Sequence, residues 1–131
     1  MLNRKSPGGS MFPYYYKGGE IHCLKFGSMY QRYDDFLKVM IAEEEFIRST
    51  HKQLRVWVDF YKTDLKQEGL VVFVDFLLRI QEQLVKLSIV GLSFSNVYRC
   101  KKLLKKAGIT LPVQFFKDPE DAKTWLVHER A

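Results

Sequence analysis

The sequence predicts an α/β domain. Its sheet is mixed but mostly parallel, built from an N-terminal β-hairpin followed by βα units, with helices packed on the sheet. Three observations predict it. The apolar pattern alternates at period two before about residue 30, then changes to spacings of three and four. Two later stretches, LRVWVDF (54–60) and KLSIVGL (86–92), are β-branched or aromatic and almost continuously apolar, as strands buried on both faces are. Each is followed by a segment of helical character, and parallel neighbours need such a crossover.

Residues 1–10 read as a flexible leader punctuated by Pro7, Gly8, Gly9 and Ser10, leaving one domain over 11–131. MFPYYYK (11–17) reads as a strand, which Pro13 confines to an edge. Gly18-Gly19 then gives a two-residue turn, and EIHCLKF (20–26) returns antiparallel. From Gln31 to Ser49 the spacing is helical, with Tyr33, Phe36, Leu37, Met40, Ile41 and Ile47 on one face. Asp34 and Asp35 open this helix and Arg48 ends it, as the helix dipole favours. Glu43, Glu44 and Glu45 read as a solvated stretch of it, since nothing in the sequence converges on them as metal ligands.

LRVWVDF is the best strand in the chain. After the loop YKTDLKQEG, the apolar run from Leu70 to Leu84 is long enough to favour a helix over a strand. KLSIVGL is the second central strand. Ser93 or Ser95 caps the next helix, which runs to Ala107 and closes at Gly108. A short strand over 111–116 leads to Asp118, which caps a last helix with Pro119 in its first turn and Ala122, Trp125 and Leu126 facing inward.

At 131 residues the chain is one domain, and 47% hydrophobic content is enough for a core. No apolar run is long enough to span a bilayer, because the densest, Leu70 to Leu78, already contains Asp75. The opening MLNRKSPGGS has no apolar signal core, and two distant cysteines argue against a disulfide scaffold. A cytoplasmic location is expected. His22, His51 and His128 lack metal-site spacing, and no phosphate-binding loop or nucleophile elbow is present. The sequence therefore points to no metal, no cofactor and no enzyme. Asp59 ends a central strand where open sheets place ligands, and Tyr61, Thr63, Asp64, Ser93 and Ser95 lie in the loops beside it. Cys23 and Cys100 read as core.

The element order, together with LRVWVDF, KLSIVGL and VQFFKDPEDAKTWL, resembles the STAS fold of bacterial anti-anti-sigma-factor-like domains, closest to the divergent SpoIIAA-like branch. In the last segment a strand ends in an aromatic pair, then come an acidic turn, Ala122 and Trp125-Leu126. The resemblance implies a small cytoplasmic regulatory domain that works by docking to other proteins. In such domains a serine in a D-S-x-G type loop, at the start of the second helix, is phosphorylated to switch the partner. Here KQEGL falls on that loop, with Lys66 at the acidic position and Glu68 at the phosphoacceptor position before Gly69. Thr63 is the one nearby hydroxyl and does not align, so a serine switch is not expected. Glu68 instead sets a fixed negative charge at a helix N-terminus, either as a permanent stand-in for phosphate or as an ordinary first-turn acid.

Two helices suggest surfaces. In the second, Leu70, Phe73, Leu77, Ile80 and Leu84 make one face, while Val71, Val72 and Leu78 fall off it. That excess implies a second burial surface, a homodimer or a partner protein, unless neighbouring helices cover it. In the third, Val97, Cys100, Leu103, Leu104 and Ala107 oppose Arg99, Lys101, Lys102, Lys105 and Lys106, with Tyr98 among the cations. Those five account for most of the net charge of +6, set by 21 Lys and Arg against 15 Asp and Glu. Such a stripe is either a solvated face or a weak, salt-sensitive grip on the phosphates of lipid or nucleic acid.

Overall fold

The computed structural model describes residues 4–128. Along them run β1 (Arg4–Lys5), β2 (Met11–Phe12), β3 (Tyr14–Tyr16), β4 (Gly19–Lys25), α1 (Tyr33–Thr50) and β5 (Leu54–Asp59). There follow α2 (Gln67–Ile80), a 3-10 turn (Gln81–Gln83), β6 (Leu84–Val90), α3 (Phe94–Ala107), β7 (Val113–Phe116) and α4 (Pro119–Val127). The main sheet has the order β3-β4-β5-β6-β7. Only β3 is antiparallel to its neighbour, so the sheet is mixed and mostly parallel, as the sequence predicts. The turn between β3 and β4 centres on Lys17 and Gly18, one residue earlier than expected. Both have positive φ (47° and 86°), which suits the twist of a tight hairpin.

Strand order in space equals strand order in sequence, so crossovers of one hand bring α1, α2 and α3 to the same face. Alternation sorts the side chains. Leu24 and Phe26 of β4 and its following loop, Val56 and Val58 of β5, and Leu87 and Ile89 of β6 meet those three helices. Phe26, Phe36, Phe60, Phe73 and Phe76 pack there with ring centroids 5.0–6.4 Å apart, mostly edge to face. On the opposite face Ile21, Cys23, Trp57 and Val90 meet Ala122 and Leu126 of α4.

α4 is short, and it is fixed by cations at its C-terminal end. Lys86, only 4% exposed, donates from Nζ to the carbonyls of Trp125 and His128, both at 2.9 Å. Arg55 donates to the Leu126 carbonyl at 2.8 Å. These donors satisfy carbonyls that a helix end leaves open, at the negative end of its dipole. Asp118 caps the other end, accepting from the Glu120 amide, with Pro119 beside it, as expected. Trp125 is half-buried rather than fully inward, against the Phe116 ring.

Three expectations need correction. Residues 1–3 of the expected leader lie outside the described residues, but residues 4–10 are not a flexible lead-in. β1 pairs with β2, and Ser6 and Ser10 are buried. Second, Glu43 is fully buried rather than solvated. It lies three residues after Met40 and four before Ile47, on the packed strip of α1. Its Oε2 accepts from Ser6 Oγ (2.7 Å) and Gly8 N (2.8 Å), and its Oε1 stands 3.0 Å from His22 Nε2. Glu44 accepts from Arg48 and Arg79, tying α1 to α2. The Arg79 guanidinium, then Arg48, hold its carboxyl below the ordinary range against the opposing effect of burial. Glu45 alone is exposed. Third, Ile41, placed on the core face by sequence, is 57% exposed, because the strip of Phe36, Met40, Glu43 and Ile47 lies round the helix from it.

Glu43→Ala removes the common acceptor of the N-terminal segment and strands buried donors. We expect a loss of about 3–5 kcal/mol in chemical denaturation, together with faster amide exchange at residues 6–10. Unchanged stability would mean that the segment is held by something else.

Candidate functional site

The parallel strands β4, β5 and β6 all end at the same end of the sheet, so their three following loops meet there. Loop 26–31 runs beside loop 60–64 as a continuation of the sheet. Ser28 N donates to Tyr61 O (2.6 Å), Tyr30 N to Lys62 O (2.8 Å) and Asp64 N to Tyr30 O (2.8 Å). Gly91 closes the third side at φ +91°, and a Cβ there would lie 2.4 Å from the Tyr61 amide nitrogen, so no larger residue fits. Between the loops lies an open cleft of about 520 Å³ with Tyr30, Lys62, Thr63, Asp64, Ser93 and Asn96 in its walls. Thr63, Asp64 and Ser93 were expected here. Asp59 is not in the wall, because it falls on the α4 side of the strand and accepts from the Tyr61 amide.

Thr63, Ser93 and Asn96 of this cleft are engaged in holding the loops. Thr63 Oγ1 donates to Phe26 O (2.5 Å) and accepts from Met29 N (3.0 Å). Ser93 caps α3 by accepting from Asn96 N. Asn96, 6% exposed, donates to Leu65 O (2.9 Å) and accepts from Arg99 (3.2 Å). These hydroxyls and amides act as positioning groups. Thr63, a switch-loop candidate by sequence, is therefore a buried structural pin, 8% exposed.

The remaining switch-loop candidates converge elsewhere. Lys66 is the N-cap residue of α2 and gives no side-chain cap, and Glu68 stands exposed in the first turn. Gly69 is buried, and a Cβ on it would come within 3.1 Å of Leu65. Together with Tyr33, Val71 and Val72, Lys66 and Glu68 line one open groove of about 690 Å³ between the starts of α1 and α2. Partial burial, then the Glu68 and Asp34 carboxylates, push the Tyr33 phenol above its ordinary range. Val71 and Leu78 are 37% and 42% exposed, whereas Val72 packs partly into the core. Most of the apolar excess of α2 is consumed because the helix sits between α1 and α3 as well as on the sheet.

Arg99, Lys101, Lys102, Lys105 and Lys106 are all exposed on α3, while Cys100 and Leu104 are buried. Sequence reasoning names Tyr98 and Tyr61 but passes over Phe94 and Tyr30. Phe94 is 92% exposed, and Tyr98, Tyr61 and Tyr30 are 59%, 60% and 53% exposed. The signal was present in Phe94, an apolar residue directly after a capping serine and off the buried face. Among the described residues no three His, Cys, Asp or Glu side chains gather as metal ligands, and no helix is long and apolar enough to cross a membrane.

No protein-family model, curated protein or solved structure matches this chain.

Thr63→Val keeps the shape but leaves the Phe26 carbonyl and Met29 amide without their partner. We expect a stability loss of about 1–3 kcal/mol in urea unfolding. A neutral result would show that the loops are held without it.

Burial pushes the Cys23 thiol up to about 11 and the Cys100 thiol up to about 12. Both should resist Ellman's reagent at pH 8 until the chain is unfolded. With folded values above the unfolded one, their contribution to stability is complete below about pH 9 and is lost as pH climbs toward 11 for Cys23 and toward 12 for Cys100. Rapid labelling of the native protein would contradict the burial of both thiols.

Proposed function

We propose that this domain is a non-enzymatic regulatory module that docks a protein partner at the groove between the starts of α1 and α2, working in the cytoplasm. One observation carries the reading. Lys66, Glu68, Val71 and Val72, singled out by two independent sequence arguments, line a single groove. The resemblance to STAS domains supplied the first two, and the surplus apolar character of α2 supplied the others. The groove offers what a docking surface needs: a half-exposed apolar wall, an aromatic ring from Tyr33, and charged groups at the rim.

The partner chemistry follows from the lining. An apolar side chain would rest on Val71 and Val72, with a basic group near Glu68 and an acidic one near Lys66. Leu78, two turns along α2 from Val71, extends the contact across Asp75. Glu68 occupies the second position of α2, where the helix dipole favours an anion. The module thus carries a permanent negative charge where a phosphorylatable residue would alternate between two states. Docking here is constitutive rather than switched by a kinase.

A photo-crosslinking residue at position 71 should capture one partner in cells, which mass spectrometry identifies and purified components reconstitute. Light scattering decides whether that partner is a second copy of the chain. Val71→Asp, at an exposed position, should weaken the reconstituted complex at least about tenfold (about 1.4 kcal/mol) with the fold intact by circular dichroism. Glu68→Ala should weaken it too. A complex indifferent to both substitutions sinks the proposal, as does the absence of any crosslinked partner.

A further inference from the structure

A second surface lies across the loop cluster from the groove and has a different chemistry. Along the crest of α3 stand Phe94, Tyr98, Lys102 and Lys105, at helical spacings of about one turn, and all are exposed. From Phe94 to Lys105 the crest runs about 16 Å at 1.5 Å per residue. At its aromatic end it continues across Ser93 and Gly91 to Tyr61 and Lys62, because Gly91 packs directly on the backbone of Tyr61. Along the helix two rings are followed by two cations, and a cation stands beside Tyr98, Tyr61 and Tyr30. Lys102 Nζ stands 5.0 Å from the Tyr98 ring, Lys62 Nζ 5.4 Å from Tyr61, and Arg32 5.6 Å from Tyr30. Among the described residues none of the five cations of α3 has a carboxylate within 4.0 Å. The helix itself carries no acid.

An unneutralised row of ammonium groups calls for an anionic partner, and the rings narrow the choice. A bilayer surface is held by an apolar helix face turned toward the lipid. In α3 that face, with Cys100 and Leu104, is buried against the core, which leaves only isolated rings for lipid. Exposed rings flanked by cations suit a polymer that presents both flat π-faces and phosphates.

We propose that this track binds single-stranded nucleic acid, stacking bases on Tyr61, Phe94 and Tyr98 while Lys62, Lys102 and Lys105 neutralise phosphates. The inference stands apart from the docking groove, which uses none of these residues. Recognition is by stacking and charge, so it is tolerant of sequence, and its short length fits the lower end of the roughly 4–16 nucleotides that small stacking platforms cover. A duplex keeps its bases paired and offers the rings nothing.

Fluorescence anisotropy with a labelled 12-nucleotide oligo(dT) tests it. The wild-type protein should bind at 50 mM salt and weaken as salt rises, and a duplex of the same length should bind at least about tenfold more weakly. Phe94→Ala should cost about tenfold in affinity with the salt slope unchanged. Lys102→Ala/Lys105→Ala should reduce that slope by about 1.4, the share of two phosphate contacts on a single strand. All three residues are exposed, so unchanged thermal melting should accompany each variant. The proposal is overturned by no binding at 20 mM salt, by equal affinity for duplex, or by Phe94-independent binding. It is also overturned if vesicles with anionic phospholipid or poly-glutamate bind as tightly as the oligonucleotide.

Discussion

Strand order in this sheet follows chain order, and the handedness of parallel crossovers then leaves little freedom. Three connecting helices must lie on one face. That face gains a thick aromatic core, while the other is left to a nine-residue helix. A short helix with Ala122 and Leu126 as its buried residues has limited apolar area with which to hold its position. Lys86 and Arg55 supply the difference, by reaching from the sheet to the last carbonyls of α4. Lys86 is nearly inaccessible, and its charge is tolerable because carbonyl oxygens and the Trp125 ring, 4.6 Å away, surround it.

The same topology exposes an edge. β3 pairs with β4 only from Gly19 to Ile21, so residues 22–25 have no strand on that side within the main sheet. The small β1–β2 pair lies against this stretch, with Ser10 Oγ donating to the Cys23 carbonyl and Lys25 reaching Gly9 O. An uncovered edge is a template for unwanted pairing. Glu43 fastens the cover from the helix side. One buried carboxyl group thereby joins the N-terminal segment, β4 and α1.

The sequence made the central strands and helix caps legible because they depend on local composition. LRVWVDF is buried on both faces, and its near-continuous apolar character says so without reference to any other segment. Ser93, Gly108 and Asp118 act within one turn of chain. Glu43 departs from its local signal, because three glutamates in a row suggest solvent while the spacing from Met40 and Ile47 places the first of them inward. His22 carried the same clue, alternating with Leu24 on the core-facing register of β4. The order of residues 4–10 is not legible locally, because it comes from Glu43, more than thirty residues away, and short polar runs carry no trace of such a partner. α2 ends at Ile80, before the apolar run does, because a 3-10 turn and a register shift at Leu54/Arg55 bring Leu84 into the sheet. The groove residues are legible singly in the sequence, but their meeting depends on how the starts of α1 and α2 approach, which is tertiary.

Both proposed surfaces border the loop from Phe60 to Lys66, which raises the question of whether they influence each other. A link exists: Asn96 in the first turn of α3 donates to Leu65 O, just before α2 begins. A link transmits only if the element between the sites has two arrangements that the ligands bind with different affinity. This loop is tied to its neighbour by successive backbone bonds, anchored by Thr63, and packed closely against Gly91. Such a segment behaves as part of the scaffold. The physical expectation is independent occupancy, in which a protein in the groove leaves the ring-and-cation track of α3 unchanged.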